Sequence, residues 1–307
     1  MSSSIPLTNP SFPLLKLPYL AVRGVLKNMT YIDIIHFSMV SLKCKVLIKF
    51  PINTTNAVIY NEKVRLETDD EDVIEELVTG TEAFNIRVYL DQILDVFKCQ
   101  NLEIIFSRES ETINFECVQK TFQGLDVNGV TINSCSAEWN RSILDEYPTM
   151  KNLYLIENRL TEKEFEEKVW SKHLTSLTLV GGFNITLEKV KYCKASNLDV
   201  TEFSFSGAQL NSFLKSWIDG SNPDLESMSV ATSQWTLYQD FANQVFDGIL
   251  YTKAPENQDR RFYRKLGGLK NTDFKGGYDF ERKDGTKATL LAKRLPGSLQ
   301  IIFMVWK

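Results

Sequence analysis

From Phe12 to Lys49 apolar residues are dense and fall at helical spacing. Tyr19, Val22, Val25, Leu26 and Met29 recur every three or four positions, one face of a helix. Pro18 suits the first turn of that helix, where a missing N–H is no loss. Thr30 with Asp33 three residues on predicts the start of a second helix, a hydroxyl and a carboxylate satisfying free N–H groups. This second helix, about Tyr31 to Ser38, is short and mostly apolar, with Ile32, Ile34, Ile35 and Phe37. A third runs from Ser41 to about Lys49, with Leu42, Val46 and Leu47 on one side. Three such helices cannot bury this much apolar surface among themselves. The remainder calls for a partner or a neighbouring domain.

Pro51-Ile52-Asn53 breaks the pattern and marks a boundary. Asn56 to Ile59 and Lys63 to Thr68 predict a small hairpin, turning at Tyr60-Asn61-Glu62. The acidic run Asp69, Asp70, Glu71, Asp72, Glu75 and Glu76 reads as a solvated loop or the start of a short helix, where carboxylates are favourable. It lacks the spacing and central glycine of a calcium loop. A helix is expected from about Val88 to Phe97. Then short apolar runs recur, at Leu102–Phe106, Gly129–Ile132, Asn152–Leu155, Ser176–Leu179, Glu202–Phe205 and Glu226–Ser229. Their spacing of roughly 22 to 27 residues falls in the range of leucine-rich-repeat units. Helical patterns lie between most of them: Ala137–Glu146, Glu162–Trp170, Leu187–Cys193 and Ala208–Trp217. Strand–helix alternation of this period predicts a parallel sheet with helices on its other side. No fixed Asn or Cys follows each strand, so the expected fold is α/β, a helical N-terminus before an irregular leucine-rich-repeat-like body over about 100–230. An ordinary α/β domain with coincidental spacing is the alternative. At the end, Asp284-Gly285 between two alternating runs is a hairpin signal. Leu299–Trp306, LQIIFMVW, is a strand too apolar for an exposed edge, so it is expected buried or paired. Gly267-Gly268 and Gly276-Gly277 mark loops before it.

The N-terminal stretch resembles an F-box. It has the Leu-Pro opening of that family as Leu17-Pro18, the apolar pair before the first turn as Val25-Leu26, and the short second helix as Asp33-Ile34-Ile35. Phe37-Ser38 and Val40 follow, and the motif aligns without a gap. The usual Asp-Pro at the first turn is Thr30-Tyr31, which keeps a capping residue, and the common late aromatic is Cys44. The ending, Tyr278-Asp279-Phe280-Glu281-Arg282 before Asp284-Gly285 and the closing Val305-Trp306, resembles the F-box-associated region of the large nematode-type F-box family. The expected organisation is a loose tail over 1–11, an F-box over 12–50 and an F-box-associated domain over 51–307, ending in a β region at about 278–307.

Composition narrows the functional classes. The 307 residues are 43% hydrophobic and 24% charged, an ordinary globular mixture, with a formal net charge of −4. That balance argues against bulk nucleic-acid binding, which shows a basic patch. Cys44, Cys99, Cys117, Cys135 and Cys193 are far apart, odd in number and form no C-x-x-C pair, as expected of reduced thiols in the cytosol or nucleus. No apolar run approaches the ~20 residues of a transmembrane helix, and Met1–Pro10 has neither the basic residues nor the apolar core of a signal peptide. His36 and His173 are remote in sequence, with no partners marking a nucleophilic site. Gly181-Gly182 lacks dinucleotide-binding spacing and there is no phosphate-loop lysine. No enzyme, metal or cofactor is expected.

The F-box resemblance implies a substrate-recognition subunit of a cullin–RING ubiquitin ligase, docking on a Skp-type adaptor and through it on a cullin. Other subunits would transfer ubiquitin, and this chain would act by holding its target close. The alternative is an interaction scaffold with no ligase output. Leu17, Pro18, Val25, Leu26, Ile34, Ile35 and Phe37 match the motif and serve either adaptor contact or the F-box core. An unknown target would bind the second domain. Its strands alternate, so Glu103, Thr131, Asn152, Tyr154, Ser176, Thr178, Glu202, Ser204, Ser227 and Ser229 are expected to face away from the helices. Tyr154, aromatic and in the middle of the row, and Glu202 are the candidate target contacts. Otherwise the row is solvated sheet surface, or is covered by residues 278–306.

Overall fold

The computed structural model describes residues 14–48, 54–60, 63–68, 74–78, 83–97, 99, 101–181, 186–201, 205–232, 240–266, 269–295 and 298–306. They form two compact units, residues 1–101 and 102–307.

The first unit begins with three short helices, α1 (Tyr19–Leu26), α2 (Tyr31–Val40) and α3 (Leu42–Leu47). Each boundary has a local cause. Pro18 caps α1 in an extended conformation. The Thr30 hydroxyl accepts from the Asp33 backbone N–H at 3.1 Å, and that of Ser41 from the Cys44 N–H at 3.2 Å. Three antiparallel strands follow, β1 (Thr54–Tyr60), β2 (Lys63–Thr68) and β3 (Ile74–Val78), then α4 (Ala83–Phe97). The expected hairpin is therefore β1–β2. The end of the acidic run is a strand, not a helix: β3 continues the meander by pairing with β2, and its run of Ile74 to Val78 can supply a ladder that an isolated turn of helix cannot. Asp69 to Asp72 lie outside the described residues.

The apolar excess of the short helices is partly taken up by α4, whose Leu90, Ile93, Val96 and Phe97 are buried, as are Val22, Leu26, Ile34, Ile35, Cys44 and Ile48. Polar contacts fix the seating. Gln92 donates to the Ser38 hydroxyl at 2.7 Å, Lys45 pairs with Asp95, and His36 packs edge-on against the Tyr89 ring.

The second unit alternates strand and helix. Its parallel strands are β4 (Asn101–Ser107), β5 (Val127–Asn133), β6 (Asn152–Ile156), β7 (Ser176–Val180), β8 (Asn197–Thr201) and β9 (Ser227–Thr232), adjacent in chain order. The connecting helices are α5 (Phe115–Phe122), α6 (Ala137–Glu146), α7 (Glu162–Phe165, running on as a π-helical turn to Trp170), α8 (Leu187–Val190) and α9 (Gly207–Ile218). In-register apolar rungs make the core. Leu153, Leu177, Leu198 and Met228 form one, and Leu155, Leu179, Val200 and Val230 the next. One expected strand is displaced. The strand that pairs with β7 is Asn197–Thr201, just ahead of the expected Glu202–Phe205, because Leu198 and Val200 complete the two rungs. Residues 202–204 lie outside the described residues, and Phe205 is buried just before α9.

Beyond β9 the pairing turns antiparallel. After α10 (Phe241–Val245) come β10 (Thr252–Lys253), the separate hairpin β11 (Asp259–Leu266) and β12 (Leu269–Lys275), then β13 (Tyr278–Glu281), β14 (Lys287–Leu295) and β15 (Ser298–Val305). The sheet order from this end is β10-β13-β14-β15-β9 and on through β8 to β4. β13 and β14 are the hairpin about Asp284-Gly285, and β15 lies between β14 and β9 with Leu299, Ile301 and Phe303 fully buried. The last strand is interior, as its composition requires.

Gly277 shows how tightly this end is built. Its φ is +103°, and a Cβ there would meet the Thr289 side chain at 2.7 Å. Gly277→Ala should therefore destabilise the protein by about 2 kcal/mol or more, combining left-handed strain with a clash. Urea denaturation checks this, and an unchanged midpoint would refute it.

Candidate functional site

The seven F-box positions separate by burial. Leu26, Ile34 and Ile35 are core, Leu17 and Phe37 are half-buried, and Pro18 and Val25 are exposed. The helical face expected from Tyr19 to Met29 is split likewise: Val22 and Leu26 point inward, while Tyr19 and Val25 do not. Sequence reasoning did not single out the most exposed apolar side chains of these three helices. Leu20, Val40 and Leu42 are 77%, 73% and 78% exposed, with Met39 and Val46 beside them in sequence. Their positions offered a signal, since Leu20 and Leu42 open helices and Val40 closes one, where a side chain has fewest neighbours within its own unit. Of the 13 large hydrophobic side chains exposed among the described residues, eight lie between Leu15 and Val46. Scattered single exposures need no explanation, but this concentration on one small helical group marks an interaction surface.

The helix-free face of the second unit is the other candidate. Register places Thr131, Tyr154, Thr178, Asp199 and Ser229 side by side across five strands, and Gly129, Asn152, Ser176, Asn197 and Ser227 in a neighbouring row. The second row is tied internally: the Ser227 hydroxyl donates to Asn197 Oδ1 at 2.7 Å, and Asn197 Nδ2 to the Thr175 carbonyl at 2.9 Å. Tyr154 is 39% exposed. Glu202 lies outside the described residues.

On the same face, beyond the row, the β11–β12 hairpin packs over β14 and β15. Phe262 and Phe274 pack with Met304, Leu291, Ile302 and Trp306. Ile302 pairs with Ser229 and Met304 with Ser227, so this cluster sits on the same face as Tyr154, past β9. The Arg260 guanidinium lies 4.8 Å from the Trp306 ring centre and bonds Asp279 at 2.7 Å, fastening the hairpin.

Perturbed titrations are scattered and structural. The Glu164 carboxylate is pulled down to about 2 by the Thr161 hydroxyl and backbone in a capping box, with Arg141 adding to it. Hydrogen bonds from Arg282 and Thr286 hold Asp284 low in the hairpin turn. Burial pushes the Cys135 and Cys193 thiols up to about 12, the reverse of an activated nucleophile. A cleft of about 1000 Å³ opens where the chain enters β7, β8 and β9, with His173, Lys194, Asp224 and Asp284 around it, all four exposed. Among the described residues no cluster of His, Cys, Asp and Glu could hold a metal ion, and no helix is long and apolar enough to cross a membrane.

Comparison with known proteins matches two parts of the chain, the N-terminal helices and the middle of the second unit, and not the ending at 278–306. The profile for the F-box domain matches residues 14–56, and one described as F-box associated matches residues 164–230. A Caenorhabditis elegans protein, uncharacterized protein F59B2.8, is 26% identical over 136 residues, 44% of this chain and 31% of that protein. The chain thus spans about a third of the length of that relative. No solved structure matches. With short capped helices exposing an apolar surface and a second, sheet-bearing unit, the chain carries both an F-box match and an F-box-associated match. These two matches are the combination found in the nematode-type family that joins an F-box to an F-box-associated region.

Proposed function

We propose that this chain is the substrate-recognition subunit of a Skp–cullin–F-box ubiquitin ligase. F-box domains bind the Skp adaptor and through it the cullin. The finer reading is that α1–α3 dock that adaptor through their exposed apolar side chains, Pro18, Val25, Leu20 and Leu42 among them, while Leu26, Ile34 and Ile35 hold the fold beneath. The second unit, read as an irregular leucine-rich-repeat-like stack, holds the target near the charged conjugating enzyme and raises its effective concentration. The observation that carries this reading is the crowding of exposed apolar side chains onto three short helices. None of the five cysteines is in a disulfide, which suits a reducing cytosol or nucleus.

The test is co-purification with the adaptor and cullin. Leu20 and Leu42 lie in the first turns of α1 and α3, where a carboxylate is favourable, so Leu20→Asp with Leu42→Asp leaves the helices formed. Adaptor affinity should fall about a hundredfold, as for loss of interface anchors. Unfolding free energy should change by less than about 0.5 kcal/mol per site. Undiminished capture by the folded variant would refute this docking surface. Capture of the adaptor with no cullin in the complex would favour a scaffold without ligase output.

A further inference from the structure

Between β10 and β13 the chain makes a detour, the β11–β12 hairpin. The strands on either side of this detour are themselves neighbours, Thr252 opposite Asp279 and Lys253 opposite Tyr278. The Ala254 N–H donates to the Gly277 carbonyl at 2.9 Å just beyond them. β11 and β12 form a separate two-stranded sheet, outside the hydrogen-bonded order β10-β13-β14-β15-β9. The hairpin thus leaves and returns at one place, and the main ladders close without it.

The surface under the hairpin continues the face that carries Tyr154. Ser229, in the Tyr154 row, leads into Ile302 and then Leu291, and Ser227, in the neighbouring row, leads into Met304. Both rows therefore turn from polar to apolar at β15, and it is this apolar part on which Phe262 and Phe274 pack. A polar fastening is added by Arg260. Its guanidinium bonds Asp279 at 2.7 Å and lies 5.5 Å from the Phe274 ring centre and 4.8 Å from that of Trp306. The receiving groups belong to the sheet and hold one another: Asp279 accepts from the Thr289 hydroxyl, which accepts from the Trp306 indole N–H at 2.8 Å. Asp279 is 38% exposed, so on losing Arg260 it keeps Thr289 and meets water rather than being left buried and unpaired.

We propose that the β11–β12 hairpin is a lid, which lifts as a unit from β14 and β15 while the sheet stays whole. Uncovered, Met304, Ile302 and Leu291 extend the Tyr154 face with an apolar seat for a target segment that presents aromatic or aliphatic side chains where Phe262 and Phe274 now lie. The seat rests on the reading of the second unit as the target-holding part; the lifting of the lid does not.

The first test is hydrogen exchange on the purified full-length chain. Amides of β11 and β12 should exchange about tenfold or more faster than those of β14 and β15, as a locally opening unit does. Arg260→Ala removes the fastening and should speed exchange of the hairpin about tenfold again, with β14 and β15 unchanged. Met304, 1% exposed, should be oxidised by hydrogen peroxide about tenfold faster in Arg260→Ala, and Met228, fully buried in the core rung of β9, should not. A hairpin that exchanges only together with β14 and β15, or Met304 oxidised in step with Met228, would overturn the lid. The second test uses a fluorescein-labelled peptide copying residues 259–275, with fluorescence anisotropy as readout. It should bind Arg260→Ala about tenfold tighter than the parent, because apparent affinity scales with the open fraction. The same peptide with both phenylalanines replaced by alanine should not bind. A variant whose lid lifts but which fails to distinguish the two peptides refutes the apolar seat alone. Adaptor co-purification is measured on the same preparations, so failure of either test stands apart from failure of the adaptor reading.

Discussion

Replacing Ile35 with Asp should unfold the N-terminal unit and abolish adaptor capture as a consequence. Ile35 lies in α2 with no exposed surface, amid the buried group of Leu26, Ile34, Cys44 and the α4 residues Leu90 and Ile93. A carboxylate placed there is taken out of water. Burying an unpaired charge, or protonating it to avoid doing so, is among the costliest single changes, about 4 kcal/mol or more. Ile35→Val removes one methyl group and should cost only about 1 kcal/mol. Hydrogen exchange across α1–α4 reads the difference: protection should be lost in Ile35→Asp and kept in Ile35→Val. The Leu20→Asp and Leu42→Asp double variant should keep the protection and still lose the adaptor. Loss of capture therefore has two separable causes in this small unit, one through the fold and one through its surface. An Ile35→Asp variant with intact protection would mean that this apolar group is not what holds the helices together.

That separation was not legible in the sequence, although the F-box itself was. The gapless run from Leu17-Pro18 to Val40 identifies the motif because capping and turn residues sit at fixed offsets. It does not divide Ile34 and Ile35 from Val25 or Leu42, because helices this short, apolar on several sides, carry no single polar face to point outward. Only packing against α4, about 50 residues away in sequence, decides which side is core. In the second unit, Leu153-Tyr154-Leu155 and Leu177-Thr178-Leu179 were readable as strands because every second residue is a large aliphatic. Asn197–Thr201 was not, since Asp199 interrupts the middle of NLDVT and the aromatic pair Phe203 and Phe205 follows directly. The β11–β12 hairpin was hidden for a related reason. Its strands, DRRFYRKL and LKNTDFK, are charged, and the Phe262 and Phe274 that pack on the sheet stand nearly alone. Gly267-Gly268 between those strands was the remaining signal, a hairpin-type dipeptide read only as a loop.

Trp217→Ala should destabilise the second unit by about 3–5 kcal/mol, the range for emptying a large aromatic site in a packed core. Trp217 is fully buried near the end of α9. Its ring lies 5.1 Å from that of Phe303 on β15 and 5.7 Å from that of Phe280 on β13, both edge-to-face, with the Arg282 guanidinium 5.2 Å from its centre. Those neighbours come from the antiparallel strands, whereas α9 connects two of the parallel ones. One side chain therefore ties the chain end into the strand–helix stack, and β15 lies between β14 and β9 only while that tie holds. If so, Trp217→Ala and Phe303→Ala should not add. Each single change already loses the shared contact, so the double variant should fall short of the sum by about 1 kcal/mol or more. Gly277→Ala acts at the β12–β13 turn rather than in this aromatic group, and its cost should add to that of Trp217→Ala within about 0.5 kcal/mol. Urea titrations followed by far-UV circular dichroism supply all the terms. Full additivity of the Trp217 and Phe303 changes would mean that the C-terminal strand is held by its backbone ladders with β9 and β14 alone, and that the aromatic contacts add only bulk.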